Sequence, residues 1–402
     1  MVYGLLTLTP VPKEAARQSR ADMGSDFRAS ASDDTVQEWV NDPIPIARPS
    51  MPNTAAILPY LERIDGSGWY TNFGPLILEM EKRLAARFDA TAYVATASNG
   101  TQALSLALQA LGAKPGGLCI MPAWTFVASA HAVRQAGLTP WFVDVDPQGW
   151  TLNPDHVRHV TAKAPGRVEA VMVVAAFGRP VDVSAWVRFR EETGVPVLMD
   201  AAASFDSARD PRLPTMVSLH ATKVLGSGEG AFIVSDDVAF IERFRASTNF
   251  GFHGDRIARH LATNAKLSEY NGAVSLAALD VWPAIRARYA ASAMALRQAL
   301  FATPQVGFQA GWGEQWVSST CIVSIPPERL TEVVAQLADQ NIATRGWWAR
   351  GCHREPAFAD CPTHSLAVTD RLAISTLGLP YYADMDGRQI DRLARALQRA
   401  MT

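Results

Sequence analysis

The sequence predicts an α/β protein with a mostly parallel sheet covered by helices on both faces, and three observations carry that expectation. Short β-branched runs alternate with helical segments through the first half of the chain. Two further runs then flank a Gly-rich turn, and a long helical region follows Ser268. After about residue 286 the rhythm changes to a few strands and amphipathic helices, the pattern of a smaller α+β domain.

Taken in order, residues 1–42 mix Ser, Asp, Arg and Ala without apolar periodicity. Such composition buries too little apolar surface to order itself, so a loose extension is expected, with a short helix near 36–40. From Pro43 the α/β pattern begins. Apolar residues recur at helical spacing over 76–88. Strands are expected at 93–96, 118–121, 140–145, 171–176 and 195–199, and helices between them at 102–111, 127–135, 154–161 and 182–192. Runs at 216–219 and 231–234 add two strands. The C-terminal part reads as strands at 321–325 and 372–375 with helices at 330–338 and 388–400. The expected division is an extension at 1–42, a large domain at 43–285 and a small domain at 286–402.

Composition narrows the function classes. The chain has 402 residues, 48% hydrophobic and 19% charged, with a net charge of -2, as suits a soluble protein with a large core. No run approaches the roughly 18 apolar residues of a membrane span, and the N-terminus lacks the basic region of a secretory signal. Near-neutral charge argues against nucleic acid as a partner. Four scattered cysteines without CxxC spacing fit a reducing cytoplasm and no disulfide framework; no metal site is expected. Only six of the 37 basic residues are lysines, so lysine chemistry has few candidates.

Four places could carry chemistry. Ser98-Asn-Gly-Thr101 lies between a strand and a helix, where unpaired backbone N–H groups and the helix dipole favour an anion. Gly100 would let a phosphate approach closely, and Ser98 or Thr101 could add a hydroxyl; alone, the motif is equally an ordinary N-cap. Asp200 ends an apolar strand, where α/β folds place ligands, or else caps a helix. Lys223, in Ser218-Leu-His-Ala-Thr-Lys223, follows a buried strand and precedes Gly226-Ser-Gly-Glu-Gly230. Partial desolvation would release its proton and let it form an imine; a solvated lysine is the plain alternative. The glycines precede a strand instead of opening a helix, against a dinucleotide fingerprint. Phe126, after a strand, could stack on a planar ligand or pack in the core. Together a phosphate cradle, a stacking aromatic, a strand-end carboxylate and a lysine describe the needs of pyridoxal 5'-phosphate. The carboxylate would keep the pyridine nitrogen protonated, and the lysine would hold the aldehyde and move protons.

With these residues in view, the chain resembles the DegT/DnrJ/EryC1/StrS sugar aminotransferases from about Ile44 to its C-terminus. The cues are Ser67-Gly-Trp-Tyr-Thr-Asn-Phe-Gly-Pro75, Ser98-Asn-Gly-Thr-Gln-Ala-Leu104, Pro122-Ala-Trp-Thr-Phe-Val127, Phe142-Val-Asp-Val-Asp146, Asp200-Ala-Ala202, Ser218-Leu-His-Ala-Thr-Lys223 and Asn264-Ala-Lys-Leu-Ser-Glu269. The resemblance implies the pyridoxal-phosphate-dependent transferase fold type I and a homodimer with active sites at its interface. It implies Lys223 as the Schiff-base lysine and proton shuttle and Asp200 as partner of the pyridine nitrogen. It implies Phe126 in the stacking position, with Gly100, Thr101 and Ser218 on the phosphate. Asn264 would reach the phosphate in the partner subunit's site. The implied reaction moves an amino group from an amino acid, usually glutamate, to a keto group of a nucleotide-linked deoxysugar, as in polysaccharide and deoxyamino-sugar biosynthesis.

Some positions depart from the family. Ala203 stands where Gln or His is common, Ala175-Ala-Phe-Gly178 replaces His-x-x-Gly, and Gly230-Ala231 replaces Gly-Gly. Ser227-Gly-Glu-Gly230 leans toward amination at C4 over C3. Lys266, His220, Arg345-Gly-Trp-Trp348 and Gly351-Cys-His353 each admit either a ligand role or plain packing. A cyclitol or aminobenzoate-precursor aminotransferase is an alternative; so is a sugar dehydratase, in which histidine would replace Lys223. A non-catalytic regulatory protein would need neither Asp200 nor Lys223.

Overall fold

The computed structural model describes residues 42–402; the expected short helix near 36–40, and all of the expected extension except Asp42, lie outside the described residues. Seven strands form one sheet: β1 (Tyr93–Ala97), β2 (Leu118–Pro122), β3 (Thr139–Val143), β4 (Val168–Val174), β5 (Val197–Asp200), β6 (Thr215–Ser218) and β7 (Ala231–Ser235). Their order across the sheet is β1-β7-β6-β5-β4-β2-β3. Strands β3, β2, β4, β5 and β6 pair in parallel, and β7 runs antiparallel to both β6 and β1. Six strands therefore point the same way and β7 alone is reversed. The seven expected strands of this sheet are all present, displaced by a few residues at their ends.

Alternate side chains along these strands enter two separate cores. Val94, Ile120, Val171, Val197 and Val217 face one, with Leu76, Met80, Trp186 and Leu276 from the helices on that side. Ala95, Met121, Met172, Leu198 and Met216 face the other, with Leu104, Leu108, Phe240 and Phe244. A strand buried on both faces must be apolar at consecutive positions, which is why these segments read as unbroken apolar runs.

The helices covering the sheet are α1 (Thr54–Ser67), α2 (Pro75–Ala85), α3 (Gly100–Ala110), α4 (Val127–Gln135), α5 (Pro154–Thr161), α6 (Val183–Thr193), α7 (Val238–Thr248) and α8 (Glu269–Ala299). Short polar caps fix several of their starts: Asn99, Asp182, Asp237 and Ser268 each accept a backbone N–H of the first turn. The apolar pattern of the sequence does not indicate α1 or α7. Only Ile64 of α1 is buried, so its sequence carries little amphipathic signal.

The C-terminal part adds α9 (Pro327–Ala338), α10 (Ala367–Ser375) and α11 (Gly387–Met401) around a second sheet of order β10-β9-β8. Its strands are β8 (Gly307–Phe308), β9 (Cys321–Ser324) and β10 (Thr376–Leu379). The expected strand at 372–375 is thus corrected to the last turn of α10, and the strand begins at Thr376. A short apolar run is compatible with either state. Here Asp144 settles it by accepting the Val368 N–H at 2.7 Å, the Thr369 N–H at 2.8 Å and the Thr369 hydroxyl at 2.8 Å, which nucleates the helix upstream. Among the described residues no helix is long and apolar enough to cross a membrane.

Two buried carboxylates fasten the frame. Glu269 accepts the N–H groups of Leu76 and Ile77 at 2.8 and 3.1 Å, capping α2 from the start of α8. Glu81 accepts the Thr96 N–H at 2.9 Å and its hydroxyl at 3.0 Å, and pairs with Arg245 at 2.7 Å. Removing Glu81 would strand three donors at once, whereas Glu79 pairs with Arg63 and Arg83 in half-exposed surroundings. We expect Glu81→Ala to lower the unfolding free energy, measured in urea, by about 3 kcal/mol. Glu79→Ala should cost less than about 1 kcal/mol.

Candidate active site

The common direction of six strands brings their carboxyl ends to one edge of the sheet, and a cavity of about 540 Å³ opens there. Gly100, Thr101, Phe126, Asp200, Ser218 and Lys223 all line it. Residues spread over 124 positions of sequence meet because the carboxyl ends of β1, β2, β5 and β6, and the turns just beyond them, gather at one edge of the sheet.

One end of the cavity is built to take an anion. The Asn99 side chain accepts the Gln102 N–H at 2.9 Å and the Asn99 carbonyl accepts the Ala103 N–H at 3.0 Å. That leaves the N–H groups of Gly100 and Thr101 at the positive end of α3, both at the cavity wall. A Cβ at Gly100 would sit 3.3 Å from Met216 Sδ, so a larger residue would press on the floor of this cradle. Ser218, at the end of β6, adds a hydroxyl whose oxygen accepts the His220 N–H at 3.2 Å.

The opposite wall holds Asp200. It is 5% exposed, and its carboxylate accepts the Ser129 hydroxyl at 2.7 Å on Oδ2 and the Ala202 N–H at 3.1 Å on Oδ1. Both donors are neutral. Burial raises the Asp200 carboxyl above the ordinary aspartate range, partly offset by these two donors and by the charge of Lys223. Lys223 is half-buried, its open side facing the cavity, and burial pushes its ammonium down while Asp200 pulls it back. Neither group forms an ion pair with the other: they interact across the space, each desolvated and each short of a partner.

The rim is aromatic. Phe126 precedes α4 and remains 56% exposed, its ring at the cavity. Phe177 stacks on Trp348 with ring centroids 3.8 Å apart, and Trp124 meets Trp348 edge-on at 5.4 Å. Phe177 adopts a positive φ of 55°, unusual for a side chain of its size. The next residue, Gly178, has φ 98° and lies so close to Ala203 that a Cβ would be 2.6 Å from its carbonyl. Ser129 and the two hydroxyl residues Ser319 and Thr320 carry no signal in the sequence but line the cavity, as do Phe177, Trp347 and Trp348. Only a contact map could reveal Ser129, because a serine in the first turn of a helix has no distinctive spacing.

Three other residues fall differently. His220 is at the cavity, with Nδ1 2.8 Å from the Thr222 hydroxyl. Asn264 and Lys266 are not at the cavity of their own chain. Lys266 donates to Asn264 Oδ1 at 2.7 Å, stands over the Phe250 ring at 4.7 Å, and Asn264 is exposed.

The arrangement suits a planar ligand with an anionic group at the α3 end, a cationic nitrogen at Asp200 and a carbonyl at Lys223. Without such a ligand the ionised Asp200 is a cost. Its folded-state pKa lies above the unfolded one, so its contribution to stability falls as pH rises from the ordinary aspartate range through the folded value. We expect ligand-free Asp200→Asn protein to unfold at a higher temperature than the ligand-free parent at pH 7, with the gap closing toward pH 4. Differential scanning calorimetry at both pH values measures it, and equal midpoints at pH 7 would contradict the desolvation argument.

Comparison with known proteins gives a consistent picture. The model of the DegT/DnrJ/EryC1/StrS aminotransferase family matches residues 53–398. The Mycobacterium tuberculosis protein Rv3402c is 30% identical over 377 residues, covering 89% of this chain and 90% of its own. The dTDP-4-amino-4,6-dideoxy-D-glucose transaminase of Shigella dysenteriae is 35% identical over 244 residues, covering 59% of this chain and 65% of its own. The crystal structure of DesI, obtained in the presence of its TDP-sugar product, superimposes with a TM-score of 0.81 at 31% identity, covering 90% of this chain and 93% of that one.

Proposed function

The chain belongs to the DegT/DnrJ/EryC1/StrS aminotransferase family, and on that premise we propose that it transfers an amino group from glutamate to the C4 keto group of a nucleotide-linked deoxysugar. It has the fold of the pyridoxal-phosphate-dependent transferases of type I and is an aminotransferase that uses pyridoxal phosphate. The nucleotide-sugar acceptor is supported by the Shigella transaminase and by DesI, whose product is a TDP-sugar. The C4 preference rests on Ser227-Gly-Glu-Gly230, together with the 4-amino sugar that the Shigella enzyme's name carries.

The observation that carries the reading is the pairing, in one cavity, of a buried carboxylate without a cationic hydrogen-bond partner and a desolvated lysine without an anionic one. These residues fit pyridoxal phosphate. The Gly100 and Thr101 N–H groups and the Ser218 hydroxyl would hold its phosphate, Phe126 would cover a ring face, and Asp200 would meet the pyridine nitrogen. When bound, the group supplies an aldehyde that condenses with amines and a protonated ring that accepts electron density from the carbon losing its proton.

The chain's own residues do the rest. Asp200 keeps the proton at the ring nitrogen, since a carboxylate bound only by neutral donors in a buried site strongly favours a cation. Lys223 holds the resting site through Nζ. Its free amine would take the proton from the donor's α-carbon and hold it at Nζ for return. Desolvation that lowers its basicity makes the neutral form accessible for this work. Asn264, exposed and away from its own cavity, would act in the cavity of a second copy, which makes the working unit a homodimer. Exposed Phe250, Ile257 and Leu261 beside it provide apolar surface for that contact.

Purified protein should be yellow, and borohydride should attach the cofactor covalently to Lys223, read by peptide mass spectrometry. Lys223→Ala should lower turnover by about 10²–10⁴-fold or more, the usual weight of a general acid–base, with the fold intact by circular dichroism. Normal turnover would refute its role. A screen of glutamate and glutamine against keto-sugar nucleotides, read by product mass, tests donor and acceptor together. Mixing Lys223→Ala with Asn264→Ala chains should restore about a quarter of parental activity, because half of the dimers then carry one intact site. No restoration would argue against a shared site.

A further inference from the structure

A line of buried hydroxyls runs from the cavity rim to Asp200. Thr125 and Ser129 are each 1% exposed. Ser129 Oγ lies 2.7 Å from Asp200 Oδ2, and Thr125 Oγ1 lies 2.8 Å from Ser129 Oγ. The proton positions follow from the chemistry. An ionised carboxylate only accepts, so Ser129 must donate to it, and with that proton used the contact with Thr125 requires Thr125 to donate. The line therefore has one direction, from Thr125 through Ser129 to Asp200. A hydroxyl donating to an anion is roughly twice as strong as one donating to a neutral acceptor. Each bond in such a chain polarises the next.

The placement is also specific. Ser129 stands in the first turn of α4, directly after Phe126 and Val127–Ala128, so the ring-facing aromatic and the donor to Asp200 share one rigid element. The charged and titratable groups facing Asp200 are few. Lys223 lies across the cavity, and His220 and Glu229 are near its mouth, 3.6 Å from each other. None of them donates a hydrogen bond to the carboxylate. The task of holding it charged falls to Ser129 and the Ala202 N–H.

We propose that Ser129, oriented by Thr125, is a positioning residue that holds the Asp200 carboxylate in its charged form and in one rotational setting, ready to meet the cofactor's ring nitrogen. The inference rests on the reading of Asp200 given above. It also accounts for a conflict in the site: burial works against the charge that the ring nitrogen needs, and the hydroxyl line offsets it without a competing cation. A lysine or arginine in that place would satisfy the carboxylate but would also exclude the protonated ring.

The sign of the effect follows. Loss of the Ser129 donor raises the Asp200 pKa, so the carboxylate is neutralised at a higher pH and loses its attraction for the ring nitrogen there. The loss of one charge-assisted bond corresponds to a shift of about one to two pH units. The test is pyridoxal phosphate binding to cofactor-stripped protein, followed by absorbance from pH 5.5 to 9 for the parent and each variant. Ser129→Ala should move the acid limb of the affinity curve upward by about one to two pH units while leaving the alkaline limb near the parent's. Ser129→Thr, which restores the hydroxyl, should return the parent curve. Thr125→Val should shift the limb in the same direction by less, and it decides the matter should Ser129→Ala not fold. A merely structural role would weaken binding equally at every pH and would not be rescued by threonine; that result overturns the proposal. Asp200→Asn separates the two levels. If it binds like the parent, the reading of Asp200 is wrong. If it loses affinity while Ser129→Ala and Thr125→Val keep the parent curve, the hydroxyl line alone is wrong.

Discussion

A desolvated carboxylate at the end of β5 is the constraint on which the rest of this structure depends. Asp200 is surrounded by neutral donors and apolar walls, at a position where the folded protein alone gives it no cationic hydrogen-bond partner. Such a group is costly in a ligand-free chain and valuable only if something positively charged arrives. Much of the architecture keeps it that way. β4 and β6 pair with β5 on either side, and the α4 helix brings Ser129 over the strand end. Lys223 is held near enough to feel the charge without closing an ion pair.

The parallel sheet converts this local chemistry into a site. With six strands pointing one way, the carboxyl ends of β1, β2, β4, β5 and β6 each contribute residues to the cavity. That is why the anion cradle at Gly100 and Thr101 and the carboxylate at Asp200 face a common space. Ser319, Thr320, Trp347 and Trp348 from the C-terminal part close the other side. Asp144, immediately after β3, takes three donors from the start of α10, tying the strand edge to the C-terminal segment. The aromatic group of Phe177, Trp124 and Trp348 packs across the same junction. Ala203 and Ala175 make the wall near Asp200 small and apolar, while Ser319 and Thr320 bring hydroxyls to the cavity from the C-terminal part.

Some of this was legible in advance, for reasons that differ from element to element. The strands were readable because burial on both faces demands unbroken apolar runs. Lys223 stood out through the scarcity of lysines and its place after a buried strand. Asp200 stood out because a charged residue ending such a run needs a reason. The helix at 54–67 gives little signal because it turns most of its surface to solvent, and 372–375 reads as a strand because so short an apolar run, Leu372-Ala-Ile374, has no period of its own. Asn264 shows the opposite limit. Its motif marked it as a site residue, yet in a single chain it points away from the cavity, bonded to Lys266.

Residue type and order carry hydrophobic period, charge and motif, and these were enough for the α/β class, the family, the cofactor and a short set of residues able to serve it. Which neutral groups surround those residues follows from the packing alone. Ser129 and Thr125 against Asp200, Phe177 against Trp348 and Asp144 against Thr369 are contacts between segments dozens to hundreds of positions apart. Their strength depends on distances of a few tenths of an ångström and on the exclusion of water. Both are properties of how the sheet and its helices pack, and neither is written in the local order of the chain.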